Sequence, residues 1–288
     1  MTWSSGVWRG ERIATHDPPP KGISNPIHDD DGAQGAGYKG SLVAGVRTYG
    51  WACEIIIEAL GEGWLAEGWV DFTLKRPLFV GDRLVTTVAR SDGLDEAFAL
   101  ECVAHRAGGQ EDVVLAGSCG LGNAAWLGDL ADIAHRPGEE PPPVRSTYDL
   151  DTVPLRMPLR PLSVEVSTSA AARLATEDLE IETARYAARP PTIHPYFLAA
   201  RMSPLTRHNF TYGPTIHVRS QLQHLQRALA PQELTITAEI VDAYERNEHL
   251  YQVLDGVIAG DRQGEIARLR HHTIFRPRGT TMPPPIGA

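Results

Sequence analysis

The sequence predicts an α+β fold built twice from one plan, a buried helix followed by an antiparallel sheet. Residues 42–60 are apolar on nearly every helical face. Strand-like runs separated by short turns come next. The same order recurs later, since residues 46–60 fall on residues 196–210 at an offset of 150 (196 − 46). That offset also places residues 81–84 on residues 231–234, which indicates an internal repeat.

In the first half, we expect residues 1–39 to be irregular because prolines and closely spaced glycines interrupt them. The helix over residues 42–60 must be wrapped by a sheet, since no face of it is suited to water. Gly61 and Gly63 are predicted to end it. Consecutive strands with short connections predict antiparallel pairing. The predicted strands are residues 69–74, 83–88, 97–105 and 113–121.

Residues 129–162 are interpreted as a linker, because they show little pattern and contain the run Glu139-Glu140-Pro141-Pro142-Pro143. The linker divides the chain into an N-terminal half, residues 1–128, and a C-terminal half, residues 163–288. In the second half, residues 167–186 are helix-forming, and His194-Pro195 opens a second apolar helix that Pro204 should kink or end. The predicted strands are residues 216–222, 234–241, 249–258 and 266–275.

Composition narrows the classes of partner. Hydrophobic residues make up 42% and charged residues 22%, which predicts a packed core. The net charge of −9 (27 − 36) disfavours binding to nucleic acid. The sequence has neither an apolar run of ~20 residues nor a basic amphipathic stretch, so we expect no membrane association. The three cysteines show no CxxC spacing and no secretory leader precedes them, which predicts a cytoplasmic protein.

One motif points to a family. Asn25-Pro26-Ile27-His28 precedes a glycine-punctuated loop and the apolar helix, and Arg76-Pro77-Leu78-Phe79-Val80-Gly81-Asp82 follows the helix. This order resembles the MaoC-like (R)-specific enoyl-CoA hydratases over residues 22–90, and in layout over the remainder. The resemblance implies a double hot-dog fold, in which two antiparallel sheets each wrap around a central apolar helix. It also implies a lyase, a hydratase or dehydratase acting on an acyl-CoA or carrier-bound acyl chain.

The family motif reads Gly-Asp-x-Asn-Pro-Ile-His, and its Asp and His share the acid–base work. In this chain the Asp position is Ile23. The resemblance implies that His28 is the catalytic acid or base, a role suited to imidazole near neutral pH. Asp30 matches a common extension of the motif and is a candidate partner, although a solvated capping turn is the alternative. We expect Asn25 and Tyr38 to contact the substrate.

The family binds the thioester oxygen with a backbone N–H at the start of its central helix, within an Ala-His-Gly stretch. The matching stretch is Val43-Ala44-Gly45, so the resemblance implies that Gly45 N–H takes this role. The alternative is that Gly45 only permits close packing of helix and sheet. His194 falls at the offset position of Ala44 and is either a substrate contact across the two halves or a capping residue.

A further polar row is predicted on one strand of the second half. His217, Arg219 and His224 are interpreted as one face of this strand, which either lines a tunnel or faces water. We predict that His217 and Arg219 line the substrate tunnel.

No metal or other cofactor is expected. The adjacent His271-His272 would point to opposite faces of a strand, and neither zinc-ligand spacing nor a phosphate-binding glycine loop is present. The expected ligand is an acyl thioester or a similar elongated apolar molecule, and a homodimer is compatible with the sequence. Because the aspartate is missing, two alternatives remain open: an isomerase or cyclase with a lone acid–base histidine, and a non-catalytic acyl-ligand-binding protein or subunit.

Overall fold

A computed structural model describes residues 6–17, 39–90, 97–211, 213, 215–281 and 285–286 of the 288-residue chain. Ten strands form one antiparallel sheet in the order β1-β3-β4-β5-β2-β7-β10-β9-β8-β6. The strands are β1 (Val7–Ile13), β2 (Gly68–Leu74), β3 (Arg83–Arg90), β4 (Ala97–His105), β5 (Glu111–Leu121), β6 (Leu162–Val166), β7 (Ile216–His224), β8 (Gln232–Arg246), β9 (His249–Gly260) and β10 (Gly264–Arg276).

Six α-helices accompany the sheet among the described residues. They are α1 (Gly45–Leu60), α2 (Trp64–Glu67), α3 (Thr168–Arg173), α4 (Ala184–Ala187), α5 (Pro195–Ala199) and α6 (Met202–Asn209). The helix predicted to be wrapped by the first half of the sheet is α1, in which Tyr49, Ala52 and Ile56 have no exposed surface. Its counterpart in the second half is the broken pair α5 and α6.

The two halves repeat one arrangement, as the offset of 150 predicted. Leu42 bridges to Phe79 ahead of α1, and Thr192 bridges to Leu229 ahead of α5, at that same offset. The five-stranded halves join where β2 pairs with β7, so the sheet is continuous. The double hot-dog prediction is therefore confirmed.

The break between α5 and α6 has a simple cause. Pro204 occupies the first turn of α6, where its missing N–H is tolerated. Its ring excludes a continuous helix through Ala200, four residues earlier, and Ala200 caps α5. The predicted interruption by Pro204 is confirmed.

Three local predictions were wrong. Residues 7–13 form the edge strand β1, although residues 1–39 were expected to be irregular. Strand β6 begins at Leu162, inside the segment interpreted as linker. Residues 167–186 do not form one helix, because α3 passes into a π-helical turn, Leu174–Asp178, and ends there. In the part of the chain that the structure describes, no helix has the length and apolarity needed to span a membrane.

Candidate functional site

The start of α1 is where the predicted catalytic segment meets the described structure. Four predicted site residues lie outside the described residues, namely Asn25, His28, Asp30 and Tyr38. The described residues on either side of this segment are Asp17 and Lys39. Asp17 contacts the first residues of α1, and Lys39 lines a cavity just ahead of the helix. Both ends of the segment therefore lie at the start of α1.

The cavity formed by the residues just ahead of α1 has a volume of about 320 Å³ and a mixed lining. Its walls are His16, Lys39, Gly40, Ser41, Phe79, Val80 and Asp82. Asp82 is buried, and its carboxylate accepts hydrogen bonds from Phe79 N–H at 3.1 Å and from Arg106 Nε at 3.3 Å. Lys39 Nζ lies 4.4 Å from the ring centroid of Phe79, in cation–π geometry. The cavity therefore offers one aromatic wall and charges of both signs.

A carboxylate accepts a hydrogen bond from one of the N–H groups at the N-terminus of α1. Asp17 Oδ2 accepts a hydrogen bond from Ala44 N–H at 2.9 Å. Arg47 Nη1 lies 3.8 Å from Asp17 Oδ1. A carboxylate at this end of a helix satisfies a free N–H and interacts favourably with the helix dipole. Asp17 was not among the residues that the sequence indicated.

Arg47 fixes the surroundings of this carboxylate. It is 1% exposed, and its guanidinium donates to the carbonyl oxygens of Thr15 at 2.7 Å, His16 at 2.6 Å and Asp178 at 2.8 Å. A buried arginine needs such partners, since an unpaired buried charge is costly. The segment that leads from β1 to Asp17 is thereby tied to α1.

The next N–H group at the start of α1 belongs to Gly45. Asp17 accepts a hydrogen bond from Ala44 N–H, and no described residue accepts one from Gly45 N–H. A Cβ atom at Gly45 would collide with Leu74. The glycine therefore does permit close packing of α1 on β2. The two readings of Gly45 in the sequence are compatible, and its role towards a ligand stays a prediction.

The second half carries a different arrangement at the matching helix. His194 is fully buried and caps α5, where its Nδ1 accepts a hydrogen bond from Tyr196 N–H at 3.1 Å. Its Nε2 lies 3.7 Å from Glu54 Oε1 on α1, which is too long for a direct hydrogen bond. Burial lowers the pKa of His194, and Glu54 offsets this only in part, so the imidazole is neutral near pH 7. The interpretation of His194 as a capping residue, here at the N-terminus of α5, is confirmed.

Glu54 joins the two halves electrostatically. Its carboxylate accepts hydrogen bonds from Tyr186 Oη at 2.8 Å and from Arg185 Nη1 at 2.6 Å, both from the second half. Burial alone would raise the pKa of Glu54, but contacts with His194, Tyr186 and Arg185 outweigh it and hold this pKa below its usual value. The group is therefore an ionised carboxylate at the contact between halves.

His217 and Arg219 lie on opposite faces of the sheet. His217 is 5.6 Å from the ring of Phe72, which stacks on Tyr49 of α1, so it faces the helices. Arg219 instead pairs with Asp71 on the other face, at 2.8 Å and 2.5 Å. The prediction of one polar face was wrong for Arg219. A register shift opposite Val218 changes the alternation of this strand.

Sequence patterns alone did not lead to Asp17, Glu54 or the buried neighbours of His217. Arg47 and Glu54 did carry a signal, because each is a charge within a mostly apolar helix and a buried charge requires a partner. Asp17 and its hydrogen bond to Ala44 arise from tertiary contacts, which spacing alone does not indicate.

Solved structures with the same fold include proteins of two described activities. A MaoC domain dehydratase from Chloroflexus aurantiacus J-10-fl aligns with a TM-score of 0.60 and 11% identity, over 96% of this chain and 97% of that one. Rv0216 of Mycobacterium tuberculosis, described as a double hot-dog protein, aligns with a TM-score of 0.60 and 13% identity, over 94% and 96% of the two chains.

A protein described as an oleoyl thioesterase from Lactobacillus plantarum aligns with a TM-score of 0.52 and 8% identity, over 97% of this chain and 98% of that one. No protein-family model and no curated protein matches the sequence. At such identities the likeness establishes the double hot-dog fold and leaves the activity to be argued from the site.

Proposed function

We propose that this protein is an acyl-thioester hydratase or dehydratase whose reaction takes place at the start of α1. The observation that carries the proposal is the start of α1, where no described residue accepts a hydrogen bond from Gly45 N–H. A cavity lined by Lys39, Gly40 and Ser41 lies just ahead of this helix in the chain, next to the end of the segment that contains Asn25-Pro26-Ile27-His28. The dehydratase among the structures of the same fold supports this choice of reaction.

In the hydration direction, His28 removes a proton from water as the water oxygen bonds to the β-carbon of an enoyl thioester. The electron pair of the double bond moves to the thioester oxygen, which Gly45 N–H stabilises as it becomes an enolate. The imidazolium then returns its proton to the α-carbon, which restores the thioester carbonyl. Dehydration is the reverse sequence.

Asp17 is proposed to supply the carboxylate that Ile23 lacks. Asp17 lies at the start of α1, where its Oδ2 is held by Ala44 N–H and its Oδ1 faces Arg47. A carboxylate held in this way acts as a hydrogen-bond acceptor, so its part is to orient the water or the His28 imidazole. Asp30 and Tyr38 remain alternative partners for His28, and Asn25 a substrate contact.

The second candidate is a non-catalytic acyl-ligand-binding protein. Ile23 favours it, because a single imidazole that carries out two proton transfers is a weaker catalyst than an acid–base pair. The two candidates share the cavity and the ligand, and they differ only in turnover.

The test is hydration of crotonyl-CoA and a medium-chain enoyl-CoA, followed through loss of the enoyl-thioester absorbance. We expect slow turnover by the wild type. His28→Ala should lower the rate by ~10²–10⁴-fold with thioester affinity nearly intact, because general acid–base catalysis contributes about this much. Ile23→Asp should raise the rate by restoring the family pair.

His135→Ala is the matched control, since His135 is exposed and lies outside the site. Its rate should equal that of the wild type. Turnover that survives His28→Ala would overturn the assignment of His28, and thioester binding without any turnover would favour the binding protein. A wild type that binds no acyl thioester would contradict both candidates.

A further inference from the structure

A hydrogen-bonded polar cluster is buried on the sheet face that packs against the helices. It consists of His217, Ser220 and His271, from β7 and β10, and is called the β7–β10 cluster below. Ser220 Oγ lies 2.8 Å from His217 Nε2 and 2.9 Å from His271 Nδ1. The two imidazole centroids are 4.3 Å apart. Ser220 has no exposed surface and His271 is 2% exposed, whereas His217 is partly exposed.

The first half shows that the fold does not require polar residues here. Ser220 and His271 are a directly opposed cross-strand pair. The equivalent pair in the first half is Val70 and Cys119, since Val70 precedes Ser220 by the repeat offset of 150 (220 − 70) and pairs with Cys119. Both are fully buried. An apolar pair thus fills the same position in the same sheet, and a buried polar pair calls for a reason beyond packing.

One ring nitrogen of the cluster has no hydrogen-bond partner in the part of the chain that the structure describes. His271 Nε2 is buried, and no described residue forms a hydrogen bond with it. Buried polar atoms are nearly always hydrogen-bonded, because an unsatisfied one forfeits its hydration without compensation. The cluster therefore has one hydrogen-bonding position to offer to a group from outside the described protein.

The cluster carries no charge near neutral pH. Burial lowers the pKa of His217 to about 4 and, with the nearby His217 and His272, places the pKa of His271 well below its usual value. The charged pair on the neighbouring strand positions, Arg219 with Asp71, lies on the opposite face of the sheet. A neutral cluster of this kind suits an uncharged oxygen better than a carboxylate or an ammonium group, whose charge would be left unpaired.

The position of the cluster relates it to the start of α1. Tyr49 lies one turn after Gly45, about 6 Å along the helix axis, and its ring stacks on Phe72 with centroids 4.5 Å apart. Phe72 in turn contacts His217, with centroids 5.6 Å apart. Two aromatic contacts thus connect the cluster to the residue one turn after Gly45, on the helix where the thioester is proposed to bind.

We infer that the β7–β10 cluster is a binding site for a hydroxyl or keto oxygen on the acyl chain of the ligand. This inference rests on the proposed function, and it narrows the substrate class to thioesters whose chain bears an uncharged oxygen at a set distance beyond the β-carbon. The ligand oxygen takes the hydrogen-bonding position at His271 Nε2 that no described residue fills. An unsubstituted chain leaves that position unsatisfied.

The test compares the affinity of a saturated medium-chain acyl-CoA with those of its monohydroxy derivatives, the hydroxyl being moved along the chain from the γ-carbon onward, because a β-hydroxyl already belongs to the product of the proposed hydration. The wild type should bind one positional isomer about tenfold or more tightly than the unsubstituted chain, because a site built for a hydroxyl penalises its absence. Ser220→Val copies Val70 of the first half and should abolish this preference while affinity for the unsubstituted chain stays within about twofold. His271→Phe, which removes the free nitrogen, should have the same effect.

Ser118→Val is the matched control, since Ser118 lies on the opposite face, across from Asp71, and should retain the preference. Thermal unfolding of each variant checks that it folds. If Ser220→Val does not fold, a crystal structure of the wild type with the preferred isomer decides: a ligand oxygen on His271 Nε2 supports the inference, and water alone at that atom overturns it. Equal affinity for all isomers also overturns it, while absence of binding to any thioester contradicts the proposed function itself.

Discussion

His224 shows what burial does to a single titratable residue in this protein. The side chain is 2% exposed, and its ring lies 4.9 Å from that of Trp64. Neither of its ring nitrogens has a hydrogen-bond partner among the described residues. Burial, reinforced by His194, lowers the pKa of His224 from 6.5 to about 3. The imidazole of His224 therefore takes up a proton at a much lower pH in the folded protein than in the unfolded chain.

This difference predicts a loss of stability in acid. Between pH 6.5 and about 3, the unfolded state binds a proton at His224 that the folded state does not. The free energy of unfolding should thus fall as pH is lowered through this window, by up to about 1.4 kcal/mol per pH unit from this residue. Urea denaturation of the wild type and His224→Phe over a pH series measures the effect, and the variant should show the shallower slope.

His135→Phe, at an exposed position, should keep the slope of the wild type. Identical slopes for the wild type and His224→Phe would show that His224 is hydrated in solution and would contradict its placement.

Among the helices, the contact between α1 and the second half depends on a glycine. A Cβ atom on Gly50 would lie 2.8 Å from Leu179 Cδ2 and 3.1 Å from Tyr196 Cβ. Trp51 strengthens the same contact, because its Nε1 donates to the Leu179 carbonyl at 2.9 Å. The close approach of α1 to α5 is therefore set at Gly50.

Gly50→Ala should destabilise the protein although alanine is the better helix former. The helical preference gains about 1 kcal/mol, but overpacking against Leu179 and Tyr196 costs about 1–3 kcal/mol. We expect a net loss of ~1 kcal/mol in the free energy of unfolding, measured by urea denaturation. Gly63→Ala should cause no such loss, since a Cβ atom there would meet only Glu67 Oε1, at an ordinary contact distance of 3.8 Å. A gain in stability at Gly50 would mean that α1 and α5 are further apart than described.

Sequence patterns located most elements because apolar periodicity reports burial directly. Residues 97–105 were predicted as a strand with the bounds of β4, and the helix predicted over residues 42–60 is α1 with three residues fewer. Strand β1 was missed because it is an edge strand with alternating charges and little buried surface. The sheet face on which Arg219 lies was predicted wrongly, because a register shift depends on the partner strand and not on the sequence of β7 alone.

For the whole molecule, the continuous sheet makes the two halves one structural unit. Five register pairs join β2 to β7, from Trp69 with Gln223 to Thr73 with Arg219. Glu54 adds contacts between the halves in the helical layer. The division into residues 1–128 and 163–288 describes the repeat, and the contacts between the halves argue against independent folding.

The continuous sheet predicts one cooperative unfolding transition. Urea denaturation followed by tryptophan fluorescence and by far-ultraviolet circular dichroism should give coincident curves, since neither half keeps its sheet edge covered without the other. Two separated transitions would show that the β2–β7 junction contributes little to stability.

The candidate site was predictable only in part. The motif around His28 and the match of Gly45 came from resemblance. The structure adds the cavity just ahead of α1 and a Gly45 N–H from which no described residue accepts a hydrogen bond. Asp17 and the pairing of Ser220 with His271 could not be predicted, because they owe their positions to contacts between segments far apart in sequence. Glu54 carried a signal as a charge within a mostly apolar helix, and His217 as part of a polar strand, but their partners could not be predicted. Such contacts follow from the pairing of the two halves.

The position of a bound thioester shows most directly whether the reaction takes place at the start of α1. A crystal structure of the wild type with a non-reactive acyl-CoA analogue would place the carbonyl oxygen of the ligand. We expect this oxygen within hydrogen-bond distance of Gly45 N–H, at the start of α1. A carbonyl at the start of α5 near His194, or at any position remote from α1, would contradict it.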